Sequence, residues 1–281
     1  MKSISRLIVP ALAVACVATF FVTARSKATV PTDGKTTPPV TLANAVSIEL
    51  PGGVKMEFVL IGPGSFIMGS DENTGDGDES PQHKVTISQP FYLGKYEVTQ
   101  EQWEAVVGGH PSKFKGPTRP VDTVSWNDCQ QFLAKLQEKT GRRFALPTEA
   151  QWEFACRAGT TTLWNFGHTP EPATDYAWIG VNAGGTTHPV GEKKPNPWGL
   201  YDMNGNVGEW CADWYAKHSY DGGEVTDPLG PAAGDARILR GGAWGDQPDN
   251  ARSASRNCIG PDIGHGGTGL RCVMLADVSP P

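Results

Sequence analysis

The chain has 281 residues, of which 38% are hydrophobic, and it carries 24 basic and 30 acidic side chains. This length permits one large domain or two small ones, and the hydrophobic content excludes disorder throughout the chain. The excess of acidic side chains disfavours nucleic acid as a partner, because phosphate backbones are bound by basic surfaces.

The N-terminus predicts export. Lys2 and Arg6 precede an uncharged, mostly apolar run over residues 7–24, and this is the pattern of a signal peptide covering residues 1–24. Two alternatives stay open. The run is long enough to remain as a membrane anchor, which would tether the protein, and Cys16 faintly resembles a lipidated cysteine. We therefore expect a periplasmic, secreted or envelope-anchored protein.

Residues 25–45 are rich in Thr and Pro and contain little that could be buried, which is typical of a flexible linker. The folded domain is expected over residues 46–276, followed by a short tail at 277–281.

Three segments are predicted to be helical, because each opens with a capping box in which a Ser or Thr side chain accepts a bond from a free amide. The boxes are Thr99 with Gln102, Ser125 with Asp128, and Thr148 with Gln151. The second helix places its apolar residues on one face and should end at Gly141.

Strands are predicted over residues 54–61, 84–99, 236–242 and 269–275. The region 159–235 shows neither helical nor strand periodicity and is rich in Gly, Pro, Asn and Asp. We predict an ordered loop there, held in place by burial of its five tryptophans.

Two further patterns bear on metal binding. The acidic stretch SDENTGDGDES (70–80) has Gly where an EF-hand needs its fifth-position ligand, so a solvated surface loop is predicted. The six histidines form neither HExxH nor a close pair, so catalytic zinc has no support.

Seven motifs occur in an order that resembles the formylglycine-generating enzyme, or sulfatase-modifying factor, family. They are GSFIMGS (64–70), ESPQHKVTISQPFYLGKYEVTQEQW (79–103), RPVDTVSWNDCQQF (119–132), FALPTEAQWEFACRAGT (144–160), NPWGLYDMNGNVGEWCADWY (196–215), LRGGAW (239–244) and GLRC (269–272). The resemblance implies an α+β domain of the formylglycine-generating-enzyme type, related to C-type lectin folds and poor in regular secondary structure.

The family enzymes oxidise a cysteine in a Cys-x-Pro-x-Arg peptide to formylglycine, using oxygen and copper(I) held by two cysteines that follow the RGG motif. In this chain the corresponding stretch, residues 243–252, contains no cysteine. Copper(I) is a soft ion that needs thiolate or thioether ligands, so Asp246 and Asp249 cannot substitute. Copper is therefore not expected.

The stretch GLYDMNGNVGEW (199–210) resembles the family's calcium loop. The resemblance assigns the Asp202 carboxylate, the backbone carbonyls of Met203, Gly205 and Val207, and Glu209 as an additional ligand. Calcium takes several oxygen ligands, and glycines let backbone carbonyls turn inward. The alternative is a tight turn without metal.

The residues after the RGG motif are candidates for ligand binding, because Trp offers a flat apolar platform and Arg pairs with carboxylate or sulfate-like groups. The candidates are Trp244, Asp246, Asp249, Arg252, Arg256 and Asn257. The alternative is that both arginines form internal ion pairs with Asp246 or Asp249.

Five cysteines follow Cys16, without a CxxC pair, so disulfides in an oxidising compartment are expected rather than zinc. The family resemblance suggests that Cys129 pairs with Cys272. Cys156 matches a family disulfide cysteine, but Ser253 stands at its expected partner position, which leaves Cys258 as the nearby alternative.

These observations favour an exported binding or accessory member of the family that recognises a peptide, protein or glycan at residues 243–257. An oxidoreductase is the alternative, either forming formylglycine or using an altered metal or mechanism in which Asp246, Asp249, Tyr215 and His265 meet.

Overall fold

The computed structural model describes residues 43–220 and 222–276. The predicted signal or anchor, all but the last three residues of the linker, and the tail at 277–281 lie outside these ranges. None of the helices in the described ranges is both long and apolar enough to cross a membrane.

The strands form three sheets. They are β1 (Ala45–Glu49), β2 (Lys55–Ile61), β3 (Gly64–Met68), β4 (His83–Ile87), β5 (Phe91–Gly94), β6 (Phe144–Ala145), β7 (Gly208–Trp214), β8 (Val225–Thr226), β9 (Arg237–Arg240), β10 (Asn257–Ile259), β11 (Thr268–Gly269) and β12 (Val273–Leu275). Their orders are β1-β2-β5-β12-β6, β10-β9-β7-β11 and β3-β4-β8.

The helices are α1 (Gln100–Val107), α2 (Trp126–Thr140), α3 (Glu149–Arg157) and the single turn α4 (Ala173–Tyr176). All three predicted capping boxes are present, with both the side-chain and the backbone bond formed. Gly141 ends α2 in the left-handed conformation, which glycine adopts without steric cost. The predicted apolar face of α2 is buried, and Phe132 stacks on Trp103 at 4.7 Å between ring centroids.

Three predictions about strands were wrong. The segment 84–99 is two strands in different sheets, β4 and β5, separated by a turn that contains Pro90, which has no N–H to donate to a ladder. The segment 269–275 is likewise divided into β11 and β12. The predicted loop 159–235 contains β7, which lies between β9 and β11.

The strand β7 was missed because its first four residues are all buried, so its sequence shows no alternation of apolar and polar residues. Because β7 pairs with β9, the residues between Asp202 and the start of β7 lie beside the turn that follows β9. Of the five tryptophans, Trp164 and Trp210 are buried, and the other three are half-buried.

Candidate functional site

A cleft opens where β9 ends. The chain turns there at Gly241 and Gly242, both of which have positive φ angles, +93° and +71°. The cleft encloses about 530 Å³ and is lined by six glycines, 208, 241, 242, 245, 266 and 267, and by side chains that include Lys113, Trp244, Asp246, Asn257 and His265. We call it the Trp244 cleft.

A larger hollow of about 810 Å³ lies on the β1–β2 side of the molecule, lined by residues such as Phe58, Leu60, Phe154 and Trp198. Its lining is mainly apolar, and the charged pair Lys95–Glu57 at 3.0 Å is internally satisfied. We favour the smaller Trp244 cleft as the functional site, because several polar groups converge in it.

Trp244 is fixed in the cleft by its own hydrogen bonds. Its indole Nε1 donates to the carbonyl of Gly266 at 2.6 Å, and its backbone N–H donates to the carbonyl of Asn206 at 2.9 Å. Its ring meets Phe114 edge to face at 5.2 Å between centroids, and the side chain stays half-exposed. The ring is therefore a positioned platform rather than a mobile surface group.

The other candidates divide between the cleft and its surroundings. Asp246 lines the cleft, where its Oδ2 accepts a bond from the N–H of Ala243 at 2.8 Å. Asn257 is exposed in β10 and also lines the cleft. Asp249 is exposed in the short turn Pro248–Ala251 and is not part of the lining.

Arg252 forms an internal ion pair, the alternative to ligand binding that the sequence left open. Its Nη1 and Nη2 donate to the carboxylate of Glu79 at 2.7 and 2.8 Å, and both side chains are buried. The prediction of a solvated loop at 70–80 is therefore wrong at its C-terminal end. An exposed acidic stretch ends in a fully buried Glu79 because Arg252 compensates the charge.

Arg256 is also neutralised. Its Nε and Nη2 donate to Glu149 at 2.7 and 3.0 Å, and Nη1 donates to the carbonyl of Asp78 at 2.7 Å. The expected internal ion pairs thus exist, but with Glu79 and Glu149 rather than with Asp246 or Asp249. Arg256 borders the cleft, yet its charge is already compensated.

These pairs belong to a larger buried network. Glu153 is fully buried and pairs with Arg157 at 2.8 Å and with Arg240. Burial alone would raise the pKa of Glu153, but the two guanidinium groups lower it below its ordinary value. Nearby, burial and the charge of Glu149 raise the pKa of Asp213 to about 7.

The predicted calcium loop contains one carboxylate that fits the assignment. Asp202 is buried, its Oδ2 accepts a bond from the N–H of Gly191 at 2.7 Å, and its Oδ1 is buried with no hydrogen-bond partner in the described structure. A buried carboxylate oxygen without a donor is the condition that a cation would relieve.

Glu209 does not fit the assignment as a ligand. Its carboxylate accepts bonds from Arg271 Nη2 at 2.7 Å and from the indole of Trp152 at 2.7 Å. Sequence reasoning missed a third carboxylate here, Glu97, which accepts bonds from Val207 N at 3.0 Å and Asn206 Nδ2 at 2.7 Å.

Burial raises the pKa of Glu97 well above its usual range, and the charges of Asp202 and Glu209 add to this effect. Burial also raises the pKa of Asp202 to about 6. Of the three buried carboxyl groups in the described structure, only Glu209 is ion-paired to Arg271, at 2.7 Å, and the raised pKa of Glu97 favours its protonated form. Over residues 43–220 and 222–276, no group of three or more His, Cys, Asp and Glu side chains is arranged to hold a metal ion, so a cation here would depend on backbone carbonyls.

Comparison with known proteins decides the family. The family model described as a sulfatase-modifying factor enzyme 1-like domain matches residues 50–276. The chain belongs to the sulfatase-modifying factor family. Its α+β fold of the formylglycine-generating type, predicted from the motifs, is confirmed.

Three similar proteins illustrate the range of this family. Chaperone protein LppX of Paenibacillus barcinonensis is 31% identical over 75% of this chain and 88% of its own length. The formylglycine-generating enzyme of Streptomyces coelicolor is 36% identical over 63% of this chain and 62% of its own length. The structure of Treponema denticola variable protein 1 has a TM-score of 0.78 at 30% identity and covers 83% of this chain and 100% of its own.

The sulfatase-modifying factor domain of this chain lacks a thiol in the Trp244 cleft, since none of the lining residues is a cysteine. Cys258 in β10 is half-buried, and the other four described cysteines are fully buried. Tyr215 donates to Asp78 at 2.9 Å and does not line the cleft. The set Asp246, Asp249, Tyr215 and His265 is therefore not assembled in the cleft, which holds Asp246 and His265 alone.

None of the five described cysteines is bonded to another in the structure. Cys129 and Cys272 lie in the same buried core cluster, and a bond between them stays a prediction. The structure does not support Cys156 with Cys258. The Cys156 Sγ lies 3.6 Å from Ser253 Oγ and is enclosed by Met203 and Asn204, whereas Cys258 lies near Asp78 and Arg256.

Proposed function

We propose that this protein is a binding or accessory member of the family, and that the Trp244 cleft holds an extended peptide segment of a partner protein. The observation that carries the proposal is the combination of a fixed aromatic platform, a wall of six glycines and the absence of any cysteine among the lining residues. An aromatic anchor site beside accessible backbone is suited to peptide recognition.

Two further points support a protein-binding role. Chaperone protein LppX, 88% of whose length is covered by the match to this chain, is named as a chaperone. Chaperones act on other proteins. The export signal predicted at residues 1–24 would bring the protein to its partner outside the cytoplasm.

Gly245 gives a way to test the cleft without disturbing the fold. It lines the cleft, its φ lies outside the left-handed region, and a Cβ added there would meet no atom within 4 Å. The fold therefore does not require glycine at this position, while close approach of a ligand backbone does.

The experiment selects binders for the protein from a library of random linear peptides displayed on phage, and then measures the affinity of enriched peptides by fluorescence anisotropy. Gly245→Val should weaken binding at least about tenfold, since its side chain would fill space that the peptide occupies. Gly109→Val is the matched control, because Gly109 also has an ordinary φ and open space but lies outside the cleft.

The free energy of unfolding of both variants should lie within about 0.5 kcal/mol of the wild-type value. The proposal fails if no peptide is enriched, or if the two variants bind alike. Incubation with copper(I), oxygen and a Cys-x-Pro-x-Arg peptide provides the opposing test. A peptide mass showing formylglycine would establish the oxidase alternative and overturn the accessory role.

We also propose that calcium stabilises the loop that carries Asp202, held by the Asp202 carboxylate and the carbonyls of Met203, Gly205 and Val207, without Glu209. The buried and unpartnered Asp202 Oδ1 supports this assignment. Calcium at about one hundred times its Kd should add about 2.7 kcal/mol to the free energy of unfolding. Equal melting temperatures in calcium and in chelator, or an equal calcium effect in Asp202→Ala, would contradict it.

A further inference from the structure

The charges that line the Trp244 cleft differ in whether they have a partner. Arg240 and Arg256 are buried and neutralised by Glu153 and Glu149. Lys113 is exposed at the cleft, and its ammonium makes no ion pair within the described structure. The cation available to a ligand is therefore this lysine and not the arginines of the RGG segment.

Lys113 is positioned by contacts of its backbone N–H and of its ammonium group. Its backbone N–H donates to Oδ1 of the fully buried Asp122 at 2.7 Å. Its ammonium lies 4.9 Å from the ring centroid of Phe114 and 5.7 Å from that of Trp244. A Cβ at Gly266 would come within 3.1 Å of Lys113 Cδ, so glycine there leaves room for the lysine stem.

Aromatic faces attract the ammonium but provide no hydrogen-bond acceptor of carboxylate strength. Its donors therefore remain available to a ligand beside the Trp244 platform. Asp76 and Asp246 also line the cleft; Asp76 lies 3.7 Å from Arg252, whereas Asp246 has no cationic partner in the described ranges. Its charge repels an acidic group nearby, so an acidic group gains most at the Lys113 side.

On the basis of the proposed function, we propose that the cleft selects peptides with an Asp or Glu side chain, which pairs with the Lys113 ammonium while a neighbouring part of the peptide lies on Trp244. The partner protein would present an acidic residue within an extended segment. Lys113 is then the residue that determines specificity, and Trp244 and the glycine wall provide affinity that does not depend on sequence.

The same phage library tests this, with wild type, Lys113→Gln and Lys113→Glu selected in parallel. Wild type should enrich peptides containing Asp or Glu. Lys113→Gln should bind these peptides about fivefold more weakly, and Lys113→Glu should shift enrichment towards Lys and Arg. Added salt should weaken the wild-type complex and leave Lys113→Gln almost unaffected.

Lys115→Glu is the matched control, since Lys115 is an exposed lysine on the same loop that does not line the cleft; it should keep the wild-type preference. An unchanged preference in Lys113→Glu, with binding still lost in Gly245→Val, would overturn the inference and leave the proposed function standing. A wild type that captures no peptide would overturn both.

Discussion

Two short segments follow the RGG motif, residues 243–246 and residues 252–256. From the sequence alone, both are candidates for ligand binding. In the first segment Trp244 and Asp246 line a cleft and stay accessible to a ligand. In the second, Arg252 and Arg256 are buried in ion pairs. The difference shows that a charged side chain beside a cleft is available to a ligand only when it is not already paired with another charge inside the protein.

The buried network should be the more costly of the two regions to alter. Glu153→Ala leaves the guanidinium groups of Arg157 and Arg240 without their shared carboxylate. We expect it to lower the free energy of unfolding by about 3–5 kcal/mol, the cost of an uncompensated buried charge.

Glu224→Ala is the control, because it removes an exposed pair with Lys84 at 3.2 Å; its cost should be at most about 1 kcal/mol. Urea unfolding of both variants measures the two values. If the two variants lose similar amounts of unfolding free energy, the buried network is solvated. It would then not differ from the exposed charges of the cleft.

A second pair of variants compares the two kinds of cation directly. Arg256→Met should cost about 2–3 kcal/mol in stability, because Glu149 stays buried with only Arg240 at 3.7 Å. Lys113→Met should leave stability within about 0.5 kcal/mol, since no carboxylate in the described chain depends on it. Thermal or denaturant unfolding decides this, and a large loss in Lys113→Met would mean that the lysine is a structural residue.

The smallest effect concerns pH. The folded pKa of Asp213 is about 7, raised first by burial and then by Glu149, against about 3.9 in an unfolded chain. The folded state therefore holds the proton more tightly, and the stability from this group is present in acid and lost as pH rises from about 4 through 7.

Relative to Asp213→Asn, the wild type should lose on the order of 1 kcal/mol for each pH unit between about 5 and 7. Urea unfolding of both proteins across this range gives the difference. Parallel curves would show that Asp213 is already ionised in the folded protein, and that the buried network carries one more negative charge than the contacts suggest.

Local signals in the sequence predicted the helices well. Each capping box involves residues three positions apart, so the bonds that start α1, α2 and α3 are determined within one helical turn. The seven motifs, in turn, indicated the fold and the place of the cleft, because their order follows the family.

Contacts between distant parts of the chain could not be predicted in the same way. Glu79 lies 173 residues from Arg252, inside a stretch whose composition is typical of a solvated loop. Glu149 begins α3 and resembles an ordinary first-turn acid until Arg256 reaches it. Lys113 had no signal at all, since its importance comes from the rings that surround it and from the neutralised arginines nearby.

The contact between Cys156 and Ser253 removes one redox requirement from the packing of the domain. The 3.6 Å contact between the Cys156 thiol and the Ser253 hydroxyl needs no oxidant to form, whereas a disulfide at this place would need an oxidant that accepts two electrons. The packing of Cys156 against Ser253 is therefore the same in reducing and in oxidising surroundings.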